Sequence, residues 1–230
     1  MVRVGWVGVG VMGRHMAGHL MNAGHSASVF SRTASKCQPL VDAGARLAAS
    51  PREAAEGCDV VFTMVGAPAD VESVTLGVDG VLAGLAPGAL LVDCTTSTPT
   101  LAAEIAAKAE AQGALALDAP VSGGDVGAKA GTLSIMCGGS DKAMDAVRPL
   151  LALMGREEVI LHMGAAGAGQ HTKSNCAPAR AHACTVGQHT RLASNACPQH
   201  ARIPPPSPAL TRDPLARARQ CATRSWRVII

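Results

Sequence analysis

Three glycines near the start of the 230-residue chain have the spacing that brings a backbone against a phosphate. In "GWVGVGVMG", Gly8, Gly10 and Gly13 form G-x-G-x-x-G between an apolar run and an amphipathic segment, with Val11 and Met12 inside the motif. Gly8 permits a tight turn, Gly10 lets the main chain approach a pyrophosphate, and Gly13 allows a helix to pack closely on a strand. The first amides of that helix then face the phosphates. Which dinucleotide fits is decided at the end of the second strand, where an NAD site carries an acid for the ribose hydroxyls. The chain reads "VFSRTASK" there, and no Asp or Glu precedes Asp42. Ser31, Arg32 and Thr33 offer two hydroxyls and a guanidinium, whose fork gives bidentate, charge-assisted bonds to a phosphate. NADP is therefore expected in preference to NAD. Met64 and Val65, at the end of the apolar run 59–65, complete the expected cofactor site.

Those residues must be held by regular elements, and the chain supplies them in alternation. Apolar runs at 2–7, 27–30, 59–65, 89–93 and 114–118 are separated by helix-like segments, the pattern of βαβ units in a parallel sheet with helices on both faces. Met12, Met16, Leu20 and Met21 recur at helical spacing, and Gly24 follows as a stop. Ser50-Pro51 and Thr98-Pro99 read as capped helix starts. A hairpin-like stretch at 133–137 leads into a helix from Asp141 to about Met154 and a last strand at 159–162. The expected fold is a Rossmann-type, doubly wound α/β domain over residues 1–164, the start of an interdomain helix over 165–173, and a divergent, disordered Arg/Pro-rich tail over 174–230.

Composition follows the same division. Residues 1–173 carry 12 Lys/Arg against 16 Asp/Glu, a net −4, whereas residues 174–230 carry 8 Arg against one Asp, a net +7. Cys37, Cys58, Cys94 and Cys137 stand singly and read as reduced, buried small residues. No apolar run approaches the ~18 residues of a membrane span, so a soluble, cytoplasmic protein is expected. In the tail, Cys176, Cys184, His189, Cys197 and His200 match no common zinc spacing, and no metal is expected. Its arginines come without Lys, with a single aromatic and with no amphipathic pattern, which argues against a specific nucleic-acid or membrane partner.

Four stretches in order, "GWVGVGVMGRHMAGHL", "DCTTSTP", "DAPVSGGDVGAKAGTLSIMCGG" and "GAGQHTK", together resemble the 3-hydroxyisobutyrate dehydrogenase family of β-hydroxyacid dehydrogenases, a group that includes glyoxylate and succinic semialdehyde reductases. The resemblance covers about residues 2–173. It implies a Rossmann-type domain followed by an all-helical domain that completes the active site and makes the subunit interface. It also implies that Thr96 lies near the nicotinamide, against a plain alternative as a capping hydroxyl ahead of Pro99. Ser122, Gly123 and Gly124 resemble the loop that holds the substrate carboxylate, and Lys173 resembles the catalytic lysine. Asp118, Asp125 and Lys129 are read as solvated or structural.

A lysine in that place removes the hydroxyl proton as hydride leaves for the nicotinamide, and returns it in the reverse direction. The family orients it with asparagines three and four positions downstream. Here Asn175 stands two positions on, followed by Cys176, Ala177 and Pro178. "GQHTK" at 169–173 recurs as "GQHTR" at 187–191, where Asn195 has the better spacing but Arg191 replaces the lysine. The resemblance therefore implies an NADP-dependent oxidoreductase acting on a small 3-hydroxy acid or its semialdehyde, with impaired catalysis and no expected oligomer in the absence of the helical domain. The alternative is a truncated NADP-binding module without turnover.

Overall fold

A computed structural model describes residues 1–176, and the expected disordered tail lies, from residue 177 on, outside the described residues. The first half runs β1 (Arg3–Val7), α1 (Gly13–Asn22), β2 (Ser26–Phe30), α2 (Gln38–Asp42), β3 (Arg46–Leu47), α3 (Pro51–Ala55), β4 (Val60–Thr63), α4 (Pro68–Leu76) and α5 (Val81–Gly84). It continues with β5 (Leu90–Asp93), α6 (Pro99–Ala111), β6 (Leu115–Asp118), β7 (Val121–Ser122), α7 (Gly124–Ala130), β8 (Leu133–Gly139), α8 (Asp141–Leu151), β9 (Gly155–His162) and α9 (Ala168–Cys176). The strands form one sheet in the order β3-β2-β1-β4-β5-β6-β8-β7, with β9 on β8. From β3 to β6 every pairing is parallel. This is the doubly wound α/β fold the alternation of runs predicts.

Strand periodicity divides the core in two. Successive side chains point to opposite faces, so Val4 and Trp6 of β1, Phe62 of β4 and Val92 of β5 join one cluster with Met16 and Leu20 of α1. Val7, Val61 and Leu91 of the same strands join the other with Ala54, Val71 and Ile105. Helices thus cover both faces. Trp6 and Phe62 stack at 5.3 Å between ring centroids, and Trp6 Nε1 donates to the Gly8 carbonyl at 3.3 Å, joining the core directly to the glycine turn.

The two capped starts form as their residues predict. Ser50 Oγ accepts from the Glu53 amide at 3.1 Å and Thr98 Oγ1 from the Leu101 amide at 3.3 Å, each with proline in the first helical turn. Cys37, Cys58, Cys94 and Cys137 are all buried. No helix among the described residues is long and apolar enough to cross a membrane.

Besides the end of α8, at Leu151 and not at about Met154, three boundaries differ from the sequence reading. The stretch at 133–137 is the inner part of β8, which pairs antiparallel with β6 and β7 and parallel with β9. Its parallel partner comes from beyond α8 and has no local signature. Strand β9 begins at Gly155, because the polar run Arg156–Glu158 lies at the solvent-facing edge, where Glu157 pairs with Arg148 at 2.7 Å. Ser174, Asn175 and Cys176, assigned by sequence to the tail, continue α9. A proline disfavours helix at the residue before it, so Pro178 does not require an earlier stop.

Candidate functional site

The parallel strands end on one edge, and their hydrogen-bond ladder runs one rung further. The amides of Gly8, Met64, Cys94 and Ala119 donate to the carbonyls of Phe30, Val7, Thr63 and Asp93 at 2.8, 2.9, 2.9 and 2.7 Å. The loops carrying the fingerprint, Met64-Val65, Thr95-Thr96 and Asp118 therefore leave the sheet side by side. This is the carboxyl edge of the strands, where open α/β sheets bind ligands.

A cavity of about 300 Å³ opens at that edge beside β1, β2 and β4. Gly8, Gly10, Val11, Met12, Gly13, Ser31, Arg32, Thr33, Met64 and Val65, expected from sequence as cofactor residues, all line it. Gly8 has φ of 101°, and a side chain there would run into the Met64 carbonyl. A Cβ on Gly13 would fall on the Gly8 carbonyl oxygen, which is the close helix-on-strand contact the motif predicts. At Gly10 a Cβ would meet no protein atom within 4 Å, so its backbone borders open space.

Helix α1 has no side-chain cap and no acid in its first turn. In its first turn the amides of Arg14 and His15 already donate to the Gly10 and Met12 carbonyls at 3.2 and 3.1 Å, which leaves those of Val11, Met12 and Gly13, residues that line the cavity, to face a ligand. A cradle of bare main chain, an uncapped helix start and open space at Gly10 fit the pyrophosphate of a dinucleotide.

At the far end of the cavity the structure adds what the sequence pattern hides. Arg32 Nη1 lies 3.0 Å from Asp70 Oδ1, an acid carried in by the first turn of α4. Asp70, Lys36, Phe30, Gly66 and Val74 all line the cavity as well. The absence of an acid before Asp42 thus does not make the pocket free of carboxylates. Burial contrast within the pair is marked, with the Arg32 side chain 77% exposed and that of Asp70 27%.

One strand over, Asp93 ends β5 fully enclosed. Its Oδ1 accepts from Thr63 Oγ1 at 2.7 Å and from the Thr95 amide at 3.0 Å. Burial outweighs these bonds and pushes the carboxyl up to about 6. Thr95 in turn accepts the Val65 amide on its hydroxyl at 3.0 Å, so the β4 and β5 loops are tied together. Thr96 is exposed and lies outside the cavity lining. The capping hydroxyl ahead of α6 is that of Thr98.

The remaining expected residues lie further along the edge. β6 and β7 run along β8 in succession, with Asp118 opposite Gly138 and Ser122 opposite Ser134, which carries Ser122 past the end of the parallel strands. Gly123, at φ of 137°, makes the turn into α7 in a conformation that side chains rarely adopt, and Gly124 opens that helix. His19 of α1 ties this helix back to the dinucleotide side, its Nε2 lying 2.9 Å from the Ala128 carbonyl.

Lys173 is half-buried on α9, and two buried polar residues fix where α9 begins. Asp118 accepts from the amides of Gly167 at 2.6 Å and Gln170 at 2.8 Å, serving as the cap of that helix. Burial pushes its carboxyl up even though these amides pull it down. The fully buried Gln170 accepts the Ser97 amide at 2.8 Å and donates to the Thr95 carbonyl at 2.7 Å. Asn175 has its amide 2.9 Å from His171 Nδ1. Asp118 is thus structural, one of the two readings its sequence allows. Gln170 was missed: it stands among polar residues, and only contact with the β5 loop buries it.

Comparison with known proteins agrees with this fold. Residues 3–164 match the family described as the NAD binding domain of 6-phosphogluconate dehydrogenase. The chain is 51% identical over 172 residues to a probable 3-hydroxyisobutyrate dehydrogenase-like 1, mitochondrial, of Arabidopsis thaliana, covering 74% of this chain and 51% of that protein. The chain thus spans about half the length of this curated relative. Among solved structures, 3-hydroxyisobutyrate dehydrogenase of Mycobacterium tuberculosis with L-serine superposes with a TM-score of 0.70 at 38% identity, over 75% of this chain and 58% of that one. An imine reductase of Myxococcus stipitatus matches 76% of this chain and 59% of its own, with NADP+ at TM-score 0.66 and 26% identity. A variant of it with NAD+ matches at 0.68 and 25%.

Proposed function

Since the chain belongs to the family of the NAD binding domain of 6-phosphogluconate dehydrogenase, and within it resembles the 3-hydroxyisobutyrate dehydrogenases, we propose that it binds NADP(H) in preference to NAD(H) and serves hydride transfer to or from a small 3-hydroxy acid or its semialdehyde. The observation that carries this reading is the single cavity that gathers the glycine cradle, the uncapped start of α1 and the Ser31-Arg32 pair. When bound, the dinucleotide supplies the hydride acceptor or donor.

The chain's own residues divide the rest of the work. Gly8 to Gly13 seat the pyrophosphate on main-chain amides, and Ser31, Arg32 and Thr33 meet the 2′-phosphate. Thr96 borders the nicotinamide end. Ser122 and the backbone of Gly123 and Gly124 hold the substrate carboxylate, since a hydroxyl and main-chain donors at a glycine turn suit an anion. The amine of Lys173 takes the hydroxyl proton during oxidation and returns it to the forming alkoxide during reduction. Asp118 and Gln170 set the direction in which α9 presents it.

Catalysis in this chain is weak on this reading. Cys176 and Ala177 occupy the positions where the family has asparagines, and the amide of Asn175 is engaged with His171. The same observation favours a second reading, a cofactor-binding module without turnover. Positioned general acid–base catalysis is worth about 10² to 10⁴ in rate. Hydroxy-acid-dependent reduction of NADP+ should therefore run at least about 100-fold below a family member with both asparagines, and Lys173→Ala should abolish it. Binding without any turnover selects the module. Robust turnover insensitive to Lys173→Ala contradicts the assignment of the base.

A further inference from the structure

We propose that Asp70 tunes dinucleotide choice by holding Arg32, so that the pair, and not the arginine alone, sets how far NADPH is preferred. The proposal rests on the reading that this cavity takes a nicotinamide dinucleotide with its adenosine ribose at Arg32. The two residues arrive from different elements, Arg32 after β2 and Asp70 in the first turn of α4, and meet at 3.0 Å on the cavity wall.

The carboxylate is the fixed member of the pair. It sits at the positive end of α4, whose cap residue Ala67 offers no side-chain bond, and that location favours a negative charge. Its Oδ2 lies only 3.0 Å from where a Cβ on Gly66 would be, so it is packed against the loop that leaves β4. Arg32, 77% exposed on a long flexible stem, is the member that moves.

The two cofactors ask different things of this pair. A 2′-phosphate needs the guanidinium that Asp70 already holds. A 2′-hydroxyl can donate to that same carboxylate, the service an acid at the end of β2 gives elsewhere. Asp70 therefore weakens NADPH binding and is neutral to favourable for NADH. Lys36, the other cation on the cavity wall, has no carboxylate within ion-pair distance among the described residues. It remains available to the phosphate throughout, which limits the size of the effect. An exposed ion pair is worth up to a factor of about five, and that sets the expected gain on releasing Arg32.

The test is equilibrium titration of NADPH and NADH into the wild-type chain, Asp70→Asn, Arg32→Ala and the double variant at one fixed ionic strength. Asp70→Asn should tighten NADPH by about fivefold and leave NADH unchanged or weaker. In the Arg32→Ala background the gain should fall below about twofold, because no held guanidinium remains to be released. Less than a twofold gain for Asp70→Asn, equal tightening of both cofactors, or an undiminished gain in the Arg32→Ala background overturns the proposal. An Arg32→Ala variant that binds NADPH as the wild type does overturns the parent reading, and that outcome is distinct from a failure of Asp70 alone. Asp70→Ser, which also removes the charge, should reproduce Asp70→Asn; a disagreement between them in the sign of the NADPH effect counts against charge as the cause.

Discussion

Replacing Asp93 with asparagine should make the protein more stable at neutral pH, and the gain should appear only as the pH rises. The native carboxyl is pushed up to about 6 from 3.8, because its burial at the end of β5 disfavours the charged form more than the bonds from Thr63 and Thr95 favour it. Between those two values the native state holds a proton that the unfolded chain has released. Stability contributed by this group therefore falls as pH rises through the window from about 4 to 6. Each pH unit of displacement corresponds to ~1.4 kcal/mol, so the full penalty at pH 7 is about 3 kcal/mol. The amide side chain of the variant would keep an oxygen for both bonds and never ionises.

Urea unfolding of wild type and Asp93→Asn from pH 4 to 7, analysed as two-state, gives the difference directly. The difference should grow steadily from pH 4 to 6, by about 2 to 3 kcal/mol between pH 4 and 7 in favour of the variant, and level off above that. Asp118, also pushed up by burial, adds the same sign to the wild-type curve, but it is present in both proteins, so only its minor repulsion with Asp93 remains in the difference. A difference that stays flat across the window, or that grows toward low pH, would refute the burial argument.

Gln170→Ala should cost about 2 to 5 kcal/mol, since it leaves the Ser97 amide and the Thr95 carbonyl buried without partners; native-state hydrogen exchange should show the Ser97 amide exposed, and unchanged protection there would contradict the anchoring role. Gly10→Ala should leave unfolding free energy within about 0.5 kcal/mol, as no protein atom lies near the added methyl, yet weaken NADPH by at least about tenfold because the methyl enters the cavity. Full NADPH affinity in a well-folded Gly10→Ala protein would show that the pyrophosphate lies elsewhere.

What the sequence makes legible follows from how local each cause is. The glycine turn, the start of α1, the Ser50 and Thr98 caps and the five parallel runs depend on residues within a turn or a strand of one another. They appear in the structure where the chain places them. Arg32 can be found the same way, because it follows directly from the end of β2. Its partner cannot: Asp70 reaches the cavity only because β1 lies between β2 and β4 in the sheet. Gln170 and Asp118 are hidden for a similar reason. Each is a polar residue whose burial depends on α9 folding back onto the ends of β5 and β6. The pairing of β8 with both β6 and β9 is likewise a choice among distant partners.

The most direct test of the account is the pair of dissociation constants for NADPH and NADH, measured on the wild-type chain and on Arg32→Asp. NADPH should bind more tightly than NADH, and the substitution, which puts a carboxylate in place of the guanidinium proposed to meet the 2′-phosphate, should abolish or reverse that preference. Equal affinity for both dinucleotides, unaltered by Arg32→Asp, would contradict the reading of this cavity as an NADP site.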